Sequence, residues 1–213
     1  MRTLFIDTST SDVSIAIIND NKLLTKISKS IPNAHSIYTV SFIEQTLKEV
    51  NLTPNDINKI LVVTGPGSFT GVRIGVTIAK TYAYLKNIDI IEVSSLKMMS
   101  LSTNHDYCLS LISARNNNYY LGLYDKDNNN IIEEQFNSKD KVLELITKYH
   151  PLIISNEELI IDDIKIEKQE LNIENICAYY INKESKNPHL VVPNYLKLPQ
   201  ALEEKKWLEK YLN

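Results

Sequence analysis

Short apolar runs separated by polar turns occupy the first hundred residues, and their spacing predicts a sheet flanked by helices. The first three runs are joined by turns of a few polar residues, so they predict an antiparallel meander. A helical pattern, a buried strand, a second helix, a further strand and a short helix follow. The predicted strands are 4–6, 13–18, 23–28, 59–64 and 88–93, and the predicted helices are 34–50, 69–85 and 95–101.

The same order of patterns returns after a polar stretch at residues 102–106. Strands are predicted at 108–113, 119–124, 131–136 and 151–154, and a helix at 138–149. Asp7, at the end of the first strand, corresponds to Ser113 in the second half, which indicates a structural repeat. We therefore predict an α/β protein of two lobes, residues 1–103 and residues 104–213, sharing a β-β-β-α-β-α plan.

The end of the second lobe is patterned less regularly. We expect strand or irregular structure at 159–167, a helix at 173–183, an extended segment at 191–196 and a terminal helix from Pro199 to Tyr211. Pro199 suits the start of that last helix because its fixed φ matches the first helical turn.

The first predicted helix combines a core face with an aromatic pair. Tyr38 and Phe42 lie four residues apart and opposite the apolar stripe that should face the sheet. The expected stripe is Ile37, Val40, Ile43, Leu47 and Val50. The aromatic pair is either ordinary partly exposed surface or part of an interface.

The helix at 69–85 is apolar on two sides, so it must be buried on two sides. One side belongs on its own sheet, and the other needs a further layer or another protein. We predict one interface patch made by both helices, in which the glycines leave room for a second helix. Its residues are Tyr38, Phe42, Gly71, Ile74, Gly75, Ile78 and Tyr82.

Four of the five glycines lie in one stretch that follows a predicted strand and runs into this helix, Gly65-Pro66-Gly67-Ser68-Phe69-Thr70-Gly71-Val72-Arg73-Ile74-Gly75. Such a layout often holds a phosphate. The stretch lacks the Lys-Ser/Thr pair of a P-loop, and the third glycine of a dinucleotide fingerprint would fall at Thr70. Glu92 stands where a ribose-binding acid would, so the dinucleotide alternative stays open. We interpret the stretch mainly as a packing device, with a weak nucleotide site at its backbone amides not excluded.

Composition adds few constraints. A net charge of −3 gives no overall attraction to nucleic acid. Cys108 and Cys177 lie inside apolar segments without metal-ligand spacing, so we expect buried free thiols. The N-terminus leads directly into a strand pattern, and no apolar run reaches about 18 residues. We therefore predict no secretion signal, no membrane span and a cytosolic location.

Few residues suggest catalysis. Asp7 could hold a metal ion or a water, but its counterpart in the repeat is Ser113. Arg115, in a turn, is the best single candidate for binding an anion, the alternative being a surface ion pair. His35 is expected to be a helix cap or a surface residue. We predict no catalytic residue, no metal site and no cofactor, and keep Asp7 and Arg115 as candidate ligand-binding residues.

On these residues the chain resembles the TsaB (YeaZ) family, the non-catalytic dimerisation subunits of the bacterial machinery that makes N6-threonylcarbamoyladenosine in tRNA. In the first lobe the matching segments are Ile6-Asp7-Thr8-Ser9-Thr10, His35-Ser36, Gly65 to Gly75 and Val93-Ser94-Ser95-Leu96. In the second lobe Ala114-Arg115 and Pro193 with Tyr195-Leu196 match. Ser113 and Lys197 depart from the family's aspartate and arginine.

The resemblance implies an actin-like (ASKHA) fold of two ribonuclease-H-like lobes, each with a mixed sheet flanked by helices. It implies a scaffold that pairs with the catalytic subunit TsaD, forms a homodimer when alone and is engaged with TsaD by the ATPase TsaE. The complex transfers threonylcarbamoyl to adenosine 37 of tRNAs reading codons that begin with A, and the chain would meet tRNA only through the complex. The alternatives are an active ATPase or kinase that binds ATP between the lobes, and a metalloprotease.

Overall fold

The computed structural model describes residues 1–197 and shows two mixed sheets flanked by helices. The predicted helix from Pro199 to Tyr211 lies outside the described residues. The elements in chain order are β1 (Arg2–Asp7), β2 (Asp12–Asn19), β3 (Lys22–Ser30), α1 (His35–Glu49), β4 (Lys59–Gly65), α2 (Phe69–Lys86), β5 (Ile90–Ser94), α3 (Ser95–Ser100), β6 (Tyr107–Ser113), β7 (Asn118–Asp125), β8 (Asn130–Ser138), α4 (Lys139–Tyr149), β9 (Leu152–Ser155), β10 (Leu159–Ile161), β11 (Ile164–Ile166) and α5 (Ile173–Tyr180).

The first sheet has the strand order β3-β2-β1-β4-β5. β1 pairs antiparallel with β2 and parallel with β4, as the predicted meander and crossover require. Side chains alternate between the two faces of β1. Leu4 and Ile6 point to α1 and α2, whereas Phe5 points to the opposite face, where α5 packs.

The second sheet repeats this arrangement without the fifth strand, in the order β8-β7-β6-β9. Its strands β6 and β9 are parallel, as β1 and β4 are in the first sheet. The predicted repeat and the expected two-sheet actin-like fold are therefore confirmed. Short helix α3 lies between the sheets: Met98 packs with the first, and Leu96 and Met99 pack with the second.

After the β10–β11 hairpin the chain returns to the first lobe. Ile173, Ile176 and Cys177 of α5 pack on the face of the first sheet that carries Phe5. Lys186 then pairs with Ile90 at the edge of β5. The last helix of the second repeat thus covers the first sheet, and the division of the chain at residues 103 and 104 stays a prediction.

Both cysteines are buried and free, as expected. Burial raises the pKa of Cys108 to about 12 and that of Cys177 to about 11, so neither is a ready thiolate. Among the helices of residues 1–197, none has both the length and the apolar character that crossing a membrane requires.

Candidate functional site

The glycine loop, our name for residues 65–75, comprises the end of β4, the connecting turn at 66–68 and the start of α2, and it turns the chain sharply. Gly65 has a φ of +107°, a backbone conformation that residues with a side chain rarely adopt. Ser68 caps α2, because its side-chain oxygen accepts a hydrogen bond from the N–H of Gly71 at 3.2 Å. The predicted order of strand, glycine loop and helix is confirmed.

This loop packs against the turn between β1 and β2. The N–H of Ser68 donates to the carbonyl of Ser9 at 2.7 Å. The hydroxyl of Thr8 donates to the carbonyl of Gly71 at 2.7 Å. Because the N–H groups of Ser68 and Gly71 are engaged within the chain, they are not presented to a phosphate, which favours the interpretation as a packing device.

Three glycines make this close approach sterically possible. A Cβ atom on Gly67 would lie 2.4 Å from the carbonyl oxygen of Ser9. One on Gly71 would lie 2.1 Å from the carbonyl oxygen of Thr8, and one on Gly75 would lie 2.3 Å from the Thr8 hydroxyl oxygen. The expectation that Gly71 and Gly75 leave room for a helix of another protein is therefore wrong, because Thr8 of the same chain fills that room.

Asp7 and His35 hold the β1–β2 turn in place. Asp7 is 3% exposed and accepts a hydrogen bond from the N–H of Ser9 at 2.8 Å. Burial raises the pKa of Asp7, and the bond from Ser9 partly offsets that rise. His35 is also buried, and its Nε2 donates to the carbonyl of Thr10 at 2.8 Å. His35 is therefore neither a cap nor a surface residue but a link between α1 and the turn.

A cleft of about 660 Å³ separates this turn from the second lobe. Arg115, in the turn after β6, lines the cleft together with Ser113, and both are exposed. Asp7 instead lines a separate cavity of about 280 Å³. The structure therefore does not bring the two candidate ligand-binding residues, Asp7 and Arg115, into one site.

Sequence reasoning missed several polar groups of the inter-lobe region. Asp12 forms an ion pair with Lys168, which holds the pKa of Asp12 low against the effect of its partial burial. The side-chain oxygens Oγ of Ser9 and Oδ1 of Asn156 are buried without a hydrogen-bond partner among the described residues, and both residues line the 660 Å³ cleft. No local spacing signals these groups, because the partners lie far apart in the chain.

The buried face of α1 differs from the predicted stripe. Phe42 is 7% exposed and belongs to the core, where the ammonium group of Lys29 lies 5.4 Å from its ring centroid. Ile37 and Val40 are 67% and 58% exposed. The assignment of Phe42 to the interface and of Ile37 and Val40 to the core is therefore wrong, whereas Ile43 and Leu47 are buried as predicted. Tyr38 stacks on Phe42 from the solvent side, at 44% exposure.

One flank of helix α2 is covered by a later segment of the chain itself, residues 188–195. The ammonium group of Lys80 donates to the carbonyl of Val191 at 2.8 Å. The guanidinium of Arg73 lies 3.7 Å from the ring centroid of Phe69 and donates from Nε to the hydroxyl of Tyr195 at 2.6 Å. These contacts cover the flank of α2 that carries Arg73 and Lys80, and not its second apolar stripe.

Residues 1–197 leave an apolar groove of about 820 Å³ uncovered between α1 and α2. Two predicted interface residues, Ile78 and Tyr82, line it and are half-buried. Val40 and Leu85 line it as well, and Leu85 is 71% exposed. We name this surface the helix groove; its apolar lining is Val40, Ile43, Leu47, Leu52, Pro54, Ile78, Tyr82 and Leu85.

Within residues 1–197, no group of three or more His, Cys, Asp or Glu side chains is arranged to hold a metal ion.

Ile74, another predicted interface residue, is half-buried on α2 one turn before Ile78. The structure thus brings four predicted patch residues to the surface, namely Tyr38, Ile74, Ile78 and Tyr82.

Comparisons with known proteins find a family model named for TsaD and relatives named TsaB, and both names belong to threonylcarbamoyladenosine synthesis in tRNA. A family model described as TsaD, tRNA N6-adenosine threonylcarbamoyltransferase, matches residues 26–202. The tRNA threonylcarbamoyladenosine biosynthesis protein TsaB of Bacillus subtilis is 31% identical, over 98% of this chain and 99% of that protein. TsaB of Buchnera aphidicola subsp. Baizongia pistaciae is 27% identical, over 91% of this chain and 96% of that protein. The structure of YeaZ from Pseudomonas aeruginosa has a TM-score of 0.76 at 20% identity, covering 92% of this chain and 99% of that one, which shows the shared fold.

Proposed function

The chain belongs to the TsaB (YeaZ) family and takes part in threonylcarbamoyladenosine biosynthesis, and from this premise we propose that it is a non-catalytic scaffold subunit that pairs with the catalytic subunit TsaD. The observation that carries the proposal is the helix groove. A groove of this size with an apolar lining on two adjacent helices fits a helical partner surface. The predicted patch residue Ile74 lies on α2 one turn before the groove residue Ile78, whereas Tyr38 lies on α1 outside the groove lining.

The contact would centre on side chains that the described part of the chain, residues 1–197, leaves exposed. Leu85 and Val40 are mostly exposed, and Ile78 and Tyr82 lie between them. Complete burial of a Val or Leu side chain stabilises a complex by roughly 1.5–3 kcal/mol. Phe42, Gly71 and Gly75 are buried and do not line the groove, so we do not place them in this contact.

Further assembly follows from the family resemblance. We propose a homodimer when the chain is alone, and engagement of the pair with TsaD by the ATPase TsaE. tRNA would then receive threonylcarbamoyl on the assembled complex, at adenosine 37 of tRNAs reading codons that begin with A.

Charge substitutions in the helix groove test the pairing. Val40→Glu and Leu85→Glu should each weaken capture of purified TsaD by the tagged chain about tenfold or more, because a carboxylate would be buried without a partner. Both positions are exposed in the chain alone, so the fold should survive. Ile160→Glu is the matched control, since Ile160 is 74% exposed on the distant hairpin strand β10. Capture of TsaD by both groove variants at the level of the unmodified chain would contradict the proposal.

An ATPase of the same fold is a second candidate, favoured by the 660 Å³ cleft and by the unpartnered oxygens of Ser9 and Asn156 in its wall. Titration calorimetry with magnesium and ATP discriminates between the two functions. Tight magnesium-dependent binding by the isolated chain would support the ATPase, whereas the scaffold proposal expects no such heat.

A further inference from the structure

A further cavity, of about 440 Å³, adjoins the 660 Å³ cleft, with which it shares Gly67, Phe69, Arg115 and Tyr120. Its walls come from three distant parts of the chain: the glycine loop, the second lobe and the C-terminal segment. We name it the aromatic–cationic cavity, after Phe69, Arg115, Tyr120, Tyr195 and Lys197 in its lining.

The charged groups of this cavity have one sign. Arg115 and Lys197 line it, and no carboxylate of residues 1–197 does. The guanidinium of Arg115 makes no hydrogen bond or ion pair with any residue that the structure describes. The chain as a whole carries a net charge of −3, so the cavity concentrates positive charge against the overall sign.

The aromatic groups of the cavity keep ring surface in contact with solvent. Phe69 is 51% exposed and Tyr195 is 41% exposed. Arg73 holds these two rings together, through its contacts with the Phe69 ring and the Tyr195 hydroxyl. Their ring centroids are 5.6 Å apart and the rings are tilted by 36°, and Tyr120 is half-buried in the same lining.

We propose that the aromatic–cationic cavity binds a nucleotide unit of single-stranded RNA, with the base against an exposed ring and the phosphate at Arg115. Exposed rings beside a guanidinium that no described residue engages, with no carboxylate of residues 1–197 in the lining to repel a phosphate, are the combination that single-stranded nucleic acid recognition requires. An acidic peptide would use the cations but leave the exposed rings idle, so RNA is the better match. The inference deepens the proposed function, on which it rests, by giving the scaffold its own contact with the RNA substrate.

Fluorescence anisotropy with a labelled RNA of about ten unpaired nucleotides tests the inference on the full chain. Arg115→Asn should weaken binding about tenfold, because it removes a charge-assisted hydrogen bond to phosphate. It should also make the slope of log affinity against log salt shallower by about one. Arg115 has a φ of +65°, which asparagine tolerates, so the turn should keep its shape.

Lys126→Gln is the matched control, because Lys126 is an exposed cation in the turn after β7 and outside the cavity. It should leave both the affinity and the salt slope nearly unchanged. Phe69→Leu keeps an apolar side chain but removes the ring, and should weaken RNA binding about fivefold or more through lost stacking.

Three results would overturn the inference: no RNA binding by the unmodified chain, equal effects of Arg115→Asn and Lys126→Gln, or AMP binding as tightly as the RNA. Capture of TsaD is measured with the same variants. None of the altered residues lines the helix groove, so capture should stay intact. A chain that captures TsaD but does not bind RNA would therefore overturn this inference alone. Unchanged capture of TsaD by the groove variants would instead contradict the proposed function.

Discussion

Thr8 is the residue that explains the glycine loop. Its carbonyl oxygen faces Gly71, and its hydroxyl oxygen faces Gly75, each at a distance that leaves no space for a Cβ atom. A Cβ contact with a rigid backbone atom cannot be relieved, whereas one with a side chain can be relieved by shortening that side chain. The two glycines should therefore respond differently to substitution of Thr8.

We expect Gly75→Ala to lower the free energy of unfolding by about 1–3 kcal/mol, because the new methyl group overlaps the Thr8 hydroxyl. In a Thr8→Ala background the same substitution should become neutral or stabilising by up to about 1 kcal/mol, since alanine is the better helix former. Urea unfolding of the four proteins measures this coupling.

Gly71→Ala provides the comparison. Its clash is with the Thr8 carbonyl, which Thr8→Ala retains, so the second substitution should give no relief. Equal relief at both glycines would mean that the Thr8 side chain, and not the Thr8 carbonyl, limits the space beside Gly71.

At the scale of elements, α1 shows where hydrophobic periodicity misleads. Two threonines, Thr39 and Thr46, lie on its buried face although they read as polar. The hydroxyl of Thr39 donates to the carbonyl of His35, and that of Thr46 donates to the carbonyl of Phe42, each at 2.6 Å. Because the helix itself satisfies these hydroxyls, they are tolerated in the core, and the true stripe is shifted from the one that apolar residues alone predict.

We expect Phe42→Ala to lower the free energy of unfolding by about 3–5 kcal/mol, because Phe42 belongs to the first-lobe core. Ile37→Ala, at an exposed position of the same helix, should change it by no more than about 0.5 kcal/mol. Chemical unfolding of both variants compares the loss of unfolding free energy at the two faces of α1. A larger loss at Ile37 than at Phe42 would support the buried face that the sequence predicted.

At the scale of the whole molecule, α3 fastens the two lobes together. The hydroxyl of Ser94 donates to Oε1 of Glu134 at 2.5 Å, and the hydroxyl of Tyr124 donates to the same oxygen at 2.9 Å. Lys97 donates to the carbonyl of Asn128 and, at 3.0 Å, to Oδ1 of Asn130, and it lies 4.1 Å from the Tyr124 ring centroid. These contacts join α3 to strands and a turn of the second sheet.

Lys97 should make stability depend on pH. Burial lowers the pKa of Lys97 to about 8, from 10.5 for an exposed lysine. Between these values the unfolded chain holds more protons at this site than the folded chain, so the contribution of Lys97 to the free energy of unfolding rises with pH. Below about pH 8 the charged, buried Lys97 lowers stability by its full amount.

The measurement is the difference in unfolding free energy between the protein and Lys97→Met, from about pH 7 to about pH 10. The difference removes the opposite effect of groups with a raised pKa, such as Cys108, Cys177 and Tyr82. It should increase with pH in favour of the unmodified protein. A flat difference would mean that Lys97 titrates as an exposed lysine.

The amino-acid sequence by itself determined the local elements, the repeat of the two sheets and the family. Strand and helix patterns depend on side chains close in sequence. The motif of the glycine stretch is long and specific enough to identify the family without knowledge of any tertiary contact. The sequence also placed Ile78 and Tyr82 correctly on the side of α2 that faces away from its sheet, because the direction of a side chain around a helix follows from its position in the sequence alone.

Only the tertiary structure decided what each feature faces. Thr8 occupies the space beside Gly71 and Gly75, α5 covers the first sheet from the end of the second lobe, and residues 188–195 cover one flank of α2. Each of these contacts joins residues that are distant in the chain. Hydrophobic periodicity reports only local structure, so it does not indicate which distant residues are neighbours in space. The physical reason is that a glycine or an apolar face specifies a need for close packing, whereas the folded chain specifies the neighbour that meets it.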